Sequence, residues 1–350
     1  MSGFPPADFS DPEIAAKTPD LRALAEIRLF RLEDGPGRGQ RVLIARNAAG
    51  VGFEVAVDRG FDLSALSLGQ VQLGWHSQNQ MRFPPQLSSS ENGFGFLRNF
   101  DGFLVTCGLD YYGPPRRAAG DTVVSPHRPE RDFPQHGEVS TLQAHLAGYG
   151  LDAERGVLWC EGVVRQSGVF GDVLERRRRI ELPLGGQTIT LDDRVTNCGF
   201  NPAPHALLYH FNFGYPLLDA ATELTGAFGD FAAVFATLPP APQPETREIV
   251  DHLQLPPDAN GDLRVGLRNP ALGGIGVTLA YRQASLPSLL VWRSYQSGVF
   301  ALGIEPGTLL PRVEDGRLIG DTLGPRASTD YGVAITVTSG GIEPATPQRQ

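Results

Sequence analysis

Short runs in which apolar and polar residues alternate at every second position recur along this chain, and that period predicts β-strands. The clearest are Arg41–Ala45, Phe53–Val57, Phe103–Cys107, Ile189–Val195, Ile275–Leu279 and Val333–Val337. Within residues 187–196, Ile189, Leu191 and Val195 share an inward face while Thr188, Thr190 and Arg194 face out; Asp193 breaks the pattern by falling on the apolar side. One helix is expected near the start, where Thr18-Pro19-Asp20 offers an N-cap and first turn ahead of Leu21–Ala25. Glycines (42) and prolines (29) are scattered between the runs as turn signals. Two stretches read as loops: Met81–Gly95, and the proline-rich Thr237–Thr246. Strand-like sequence of one character continues on both sides of each, so neither marks a domain boundary. The pattern predicts an all-β chain, a sandwich of antiparallel β-sheets in one domain over residues 21–339, with an N-terminal arm (1–20) and a polar tail (340–350) that frays.

Composition narrows the partners. The 350 residues are enough for a sizeable core, and 30 Lys+Arg against 39 Asp+Glu give a net charge of −9. That balance argues against nucleic acid or an anionic membrane, both of which demand clustered positive charge. The run Arg176–Arg179 is the local exception; in a strand its members point to both faces, and a solvated strand with salt-bridge partners is the expectation. Three cysteines without CxxC or Cys/His spacing indicate neither a disulfide framework nor structural zinc. His205 and His210 fall on opposite faces of a regular strand and would not chelate one ion. The glycine-rich Gly35–Gly39 lacks phosphate-loop spacing and contains Pro36. No metal and no cofactor are expected. An N-terminus lacking a basic region followed by an apolar run, and the lack of any apolar stretch long enough to span a bilayer, point to a soluble cytoplasmic protein.

Candidate chemistry concentrates in two segments. In Leu207–Pro216, His210, Asn212 and Gly214 share one strand face and Tyr209, Phe211 and Phe213 the other, so His210 stands on a polar, open face. Near the other end, Glu305 closes the apolar run Val299–Ile304 with only Ala301 and Gly303 beside it, leaving space above the carboxylate. An acid there is costly to bury without a partner or a purpose, and Pro306 limits further pairing. One imidazole and one carboxylate are the minimum for acid/base work on a neutral substrate. Arg98 has Asp101 and Asp110 as nearby ion-pair candidates, Arg59 reads as an internal structural ion pair, and His76, His127, His145 and His252 show no partner pattern. Trp75 and Trp292 suit a core; Trp292 also suits an aromatic platform against the apolar face of a sugar.

Several segments, taken in order, resemble the aldose 1-epimerase (galactose mutarotase-like) superfamily and in particular a bacterial branch of it. They are Asp58–Leu63 with Gly74–Ser77, Phe96–Phe100 with Gly102–Leu109, His136-Gly137, Asp193–Asn197, Tyr209–Gly214, Trp292-Arg293 and Gly303–Thr308. The resemblance spans nearly the whole chain and implies a supersandwich of β-sheets with a sugar cleft. It implies a carbohydrate mutarotase or epimerase that interconverts anomers of an aldose, with Glu305 as base, His210 as acid, and His136 and Arg98 on the substrate; Asn212 and Trp292 join them as cleft residues. The mutarotase aspartate that contacts sugar hydroxyls has no clear counterpart. An isomerase or lyase acting on a modified sugar with the same pair, and a carbohydrate-binding protein without turnover, are the alternatives. With Glu305 ionised and His210 protonated, each charge would favour the other, giving an activity plateau around neutral pH. The sugar and the oligomeric state stay open.

Overall fold

The computed structural model describes residues 12–119, 129–236, 241–309 and 321–340. Among them, antiparallel pairing builds a five-stranded sheet from Glu26 to Gln72, an eight-stranded sheet, a six-stranded sheet and a small two-stranded ribbon. The predicted runs all lie in or overlap strands: Arg41–Arg46, Val51–Ala56, Leu104–Leu109, Thr188–Asn197, Ile275–Arg282 and Ser328–Thr338. Strict alternation marks Thr188–Asn197, whose odd-numbered members are buried and whose even-numbered members are partly or fully exposed. The inward rows interleave in one large core that includes Leu43, Phe53, Leu191, Phe211, Val291 and Ile335.

The expected helix at Thr18–Ala25 is a correction: only a single 3₁₀ turn, Leu21–Ala23, forms there. Asp20 rather than Thr18 caps it, accepting the Arg22 amide at 2.9 Å, and the chain turns into the strand Glu26–Arg31 before a second turn can form. Short α-helices that the strand pattern did not signal occur at Pro12–Lys17, Ser90–Gly93 and Phe231–Ala236. The Met81–Gly95 stretch is a loop apart from that one turn. Expectations for residues 1–11, for His127, for the 237–240 part of the proline-rich loop and for the tail beyond Gly340 lie outside the described residues. No helix among the described residues is long and apolar enough to cross a membrane.

The arginine run departs most from expectation. Arg177 and Arg179 face out and pair with Glu161, and Arg179 also with Glu181, but Arg176 and Arg178 point into the core and are fully buried. Register explains why: Arg178 sits directly across from Asp193, the residue that broke the alternation on the next strand. Arg178 reaches both Asp193 oxygens at 2.8 and 2.6 Å, Asp62 of the five-stranded sheet at 2.7 Å and the Thr106 hydroxyl at 2.9 Å. The Tyr209 hydroxyl donates to Asp193 at 2.9 Å, and Thr106 donates to Asp62 at 2.6 Å. Burial alone would raise Asp193, but Arg178 and Arg176 hold it below the usual carboxylate range. Arg59 is buried too, yet it donates to the backbone carbonyl of Asn99 and makes no ion pair within reach. Thr106 and Tyr209 lie on adjacent strands of the six-stranded sheet, so this network braces that sheet from behind.

Candidate functional site

The far face of the same sheet carries the candidate chemistry. The strand Ala203–Phe213 runs between Leu104–Leu109 and Ala301–Gly307. Its register with the latter, Leu208 against Gly307 and Phe211 against Ile304, sets His210 opposite Glu305. Ser288–Ser294 flanks Ala301–Gly307 on its other side, with Leu290 across from Glu305 and Trp292 across from Gly303. Alternation therefore sends Tyr209, Phe211 and Ile304 into the main core and His210, Glu305 and Trp292 to the opposite face. There they meet a separate aromatic cluster that includes Trp75, Phe96, Phe100 and Tyr112.

His210 Nε2 and Glu305 Oε1 are 3.0 Å apart. The approach is not aligned as a hydrogen bond, and Glu305 Oε1 and His210 Nδ1 are both buried without a protein partner. Gly303 makes the approach possible: a Cβ there would lie 2.7 Å from Glu305 Oε1 and 2.9 Å from His210 Cε1. The space expected above the carboxylate is thus filled by the carboxylate itself and by the imidazole. The face is polar, as expected, but not open. His210 is 4% exposed and Glu305 2%, because Phe100 lies edge-on to the imidazole at 4.8 Å and Trp292 at 5.6 Å.

His136 joins them from a loop. Its ring centre is 5.9 Å from that of His210, nearly perpendicular, and 4.8 Å from Phe96. The backbone is held on both sides, His136 N–H donating to Gly113 and its carbonyl accepting from Gly108, each at 3.0 Å. Both His136 and Gly137 have positive φ, and a Cβ at Gly137 would come 2.3 Å from the Gly108 carbonyl oxygen, so only glycine fits. Asn212 spends its amide nitrogen on the carbonyls of Gly102 and His210, leaving Oδ1 without a protein partner. Of the six residues singled out from the sequence, His210, Glu305, His136, Asn212 and Trp292 gather on this face. Arg98 stands apart, its side chain 56% exposed and paired with Glu91 at 2.8 Å rather than with Asp101 or Asp110.

Protonation differs from the sequence expectation. Burial, then the charge of Glu248, raises Glu305 to about 8; burial, then the neighbouring His136, pushes His210 well below its ordinary value. His136 is lowered to about 4 by burial. Desolvation disfavours separated charges, so the pair holds one proton as a carboxylic acid beside a neutral imidazole instead of as an ion pair. Glu248 is the residue that sequence reading missed. It accepts the Trp292 indole N–H at 2.8 Å, yet it stands in a polar, proline-rich stretch where only strand pairing reveals its neighbour. Three further described histidines have partners elsewhere: His205 the Leu109 carbonyl and the Tyr331 hydroxyl, each at 2.8 Å, His252 the Ser288 hydroxyl at 2.9 Å, and His76 the Asp101 carboxylate at 3.7 Å. Among the described residues no group of three or more His, Cys, Asp or Glu could hold a metal ion.

Solved structures share this architecture. A candidate aldose 1-epimerase from Klebsiella pneumoniae subsp. pneumoniae is 22% identical and superposes with a TM-score of 0.77 over 89% of this chain and 83% of that one. A galactose mutarotase-like protein from Clostridium acetobutylicum is 14% identical, with a TM-score of 0.64 over 91% and 99%. A galactose 1-epimerase from Lactobacillus acidophilus is 12% identical, with a TM-score of 0.58 over 90% and 99%. At these identities the likeness establishes the fold, the galactose mutarotase-like β-sandwich. No curated protein matches the sequence. The family match is direct, covering residues 37–337, and the chain belongs to the family described as a domain of unknown function, DUF4432.

Proposed function

We propose that this protein is an acid/base isomerase of a reducing sugar that interconverts its anomers at the His210–Glu305 pair. The observation that carries the reading is the convergence of an imidazole and a carboxyl, 3.0 Å apart, on strands whose register fixes their meeting, with polar atoms that no protein group satisfies. Buried polar atoms normally find partners, and several left over in one place suit a polyhydroxylated ligand. Trp292, Phe100 and Phe96, which pack on one another beside the pair, are aromatic rings of the kind that packs against the apolar face of a sugar.

Anomer interconversion needs a proton taken from the anomeric hydroxyl and one given to the ring oxygen. A pair that holds one proton in total can do both, the protonated member acting as acid and the other as base. The ring then opens, the carbonyl face rotates and closure yields the other anomer. His136 and the Asn212 oxygen supply further hydrogen-bonding groups to the sugar hydroxyls. Positioning provides much of the rest, because both reacting groups are held on paired strands.

Exchange NMR on a panel of reducing sugars tests the reading. Acceleration of anomer exchange by the wild type, and its loss in Glu305→Gln with sugar binding retained, is the expected result. Binding by both proteins with turnover by neither would leave a carbohydrate-binding protein.

A further inference from the structure

Glu248 lies just ahead of the edge strand Ile249–Leu253, which pairs with Ser288–Ser294 so that Val250 meets Trp292. Its carboxylate holds the Trp292 indole N–H at 2.8 Å. Trp292 in turn packs 5.6 Å from both His210 and Phe100, and its Cβ is 3.1 Å from the point above Gly303 that Glu305 and His210 crowd. One ring thus separates an exposed carboxylate from the buried pair.

Several other groups face the pair from the elements packed against it. His136 approaches from its loop, Cys107 from the strand Leu104–Leu109 and Tyr112 from the segment that follows. Burial keeps all three uncharged at neutral pH, lowering His136 and raising the thiol and the phenol. Arg98 is paired with Glu91, and Arg293 points to the other face of its strand, where it binds Asp251. Asp101, next to Phe100, is engaged by the Ser77 amide and lies 3.7 Å from His76, and Glu248 is the charged group that acts on Glu305 beside its burial.

We propose that Glu248 is a positioning residue: it fixes the Trp292 ring as the wall of the His210–Glu305 pair and sets the field in which that pair holds its proton. The inference rests on reading the pair as the proton-carrying unit. A negative charge nearby disfavours a second one, so Glu248 keeps the proton on the pair to higher pH.

Two variants of the full chain separate wall from field. Glu248→Gln keeps an acceptor for the indole and removes the charge; Glu248→Leu removes both. The Glu305 carboxyl is followed by ¹³C NMR, assigned with Glu305→Gln, and the Trp292 indole by its ¹⁵N–¹H signal. In Glu248→Gln the Glu305 midpoint should fall by about half a pH unit or more while the indole signal stays near its wild-type position. In Glu248→Leu the indole signal should move as well. An unshifted Glu305 midpoint in Glu248→Gln, or an unmoved indole signal in Glu248→Leu, overturns the proposal, and does so without touching the catalytic reading if turnover persists. A shifted midpoint in a protein that turns over no sugar supports the placement of Glu248 and removes the catalytic reading instead.

Discussion

The strand Ala203–Phe213 presents two buried polar clusters, one on each face, and they are built on opposite terms. Behind it, Arg178 spends all three nitrogens on Asp193, Asp62 and Thr106, and Tyr209 closes the set. In front, His210, Glu305, His136 and Asn212 each keep a buried atom without a protein partner. A satisfied network rigidifies, whereas an unsatisfied one stores interactions for something else. Arg176, beside the rear set, also keeps Nε and Nη1 without a hydrogen-bond partner, so the contrast holds between the satisfied Arg178 network and the front cluster rather than between the two faces as wholes.

The largest effect that would break this contrast is on stability. Arg178→Ala should cost about 3–5 kcal/mol, because Asp193 and Asp62 would lose the cation that hydrogen-bonds them, with only the more distant Arg176, 3.7 Å from Asp62, remaining. Denaturant unfolding checks it, and a loss below about 1 kcal/mol would mean the rear network is not the brace described. Glu305→Gln should behave in the reverse manner. Anomer exchange should fall by at least about a hundredfold. Stability at pH 8 should meanwhile hold or rise by on the order of 1–3 kcal/mol. The sign follows from burial: Glu305 moves from its ordinary 4.5 to about 8, so the stability of its neutral form is full below 4.5 and is lost as pH rises through 8. Glutamine does not ionise and escapes that loss.

Gly303→Ala sharpens the comparison further. Its methyl would enter the space shared by Glu305 and His210, so the pair must part, with about 1–3 kcal/mol of destabilisation and a clear loss of turnover. A normal rate would show that the pair need not touch. For the unsubstituted protein, turnover should decline above pH about 8 as Glu305 loses the pair's proton, and decline again only well into the acid range, where His210 gains a second one. The smallest effect belongs to Arg98→Ala. Paired with Glu91 at the surface, it should change the sugar KM by less than about threefold, and a larger rise would restore the substrate role that the family resemblance implies.

Period-two alternation made the strands and the two faces of the His210 strand legible, because each residue's side follows from position alone. Glu305 stood out as an acid ending an apolar run, and Gly303 as its small neighbour. What alternation could not show was who meets whom. Arg178 and Asp193 are 15 residues apart, and Arg178 and Asp62 are 116 apart; each looks out of place until strand order brings them together. The same limit hid Glu248, which lies 44 residues before the tryptophan it holds. The aromatic cover of the site escaped for another reason: Phe96 and Phe100 belong to a 3₁₀ turn and its exit, where no strand period applies. That cover buries, beneath Phe100 and Trp292, a pair that the sequence placed on an open, charged floor.

The most direct test of the central claim is the anomer-exchange rate of one turned-over sugar as a function of pH, measured in parallel for wild type and Glu305→Gln. A catalysed rate that falls above pH about 8 in the wild type and is missing throughout in the variant is the predicted result. Catalysis by Glu305→Gln at the wild-type rate, with the same pH dependence, would contradict the account.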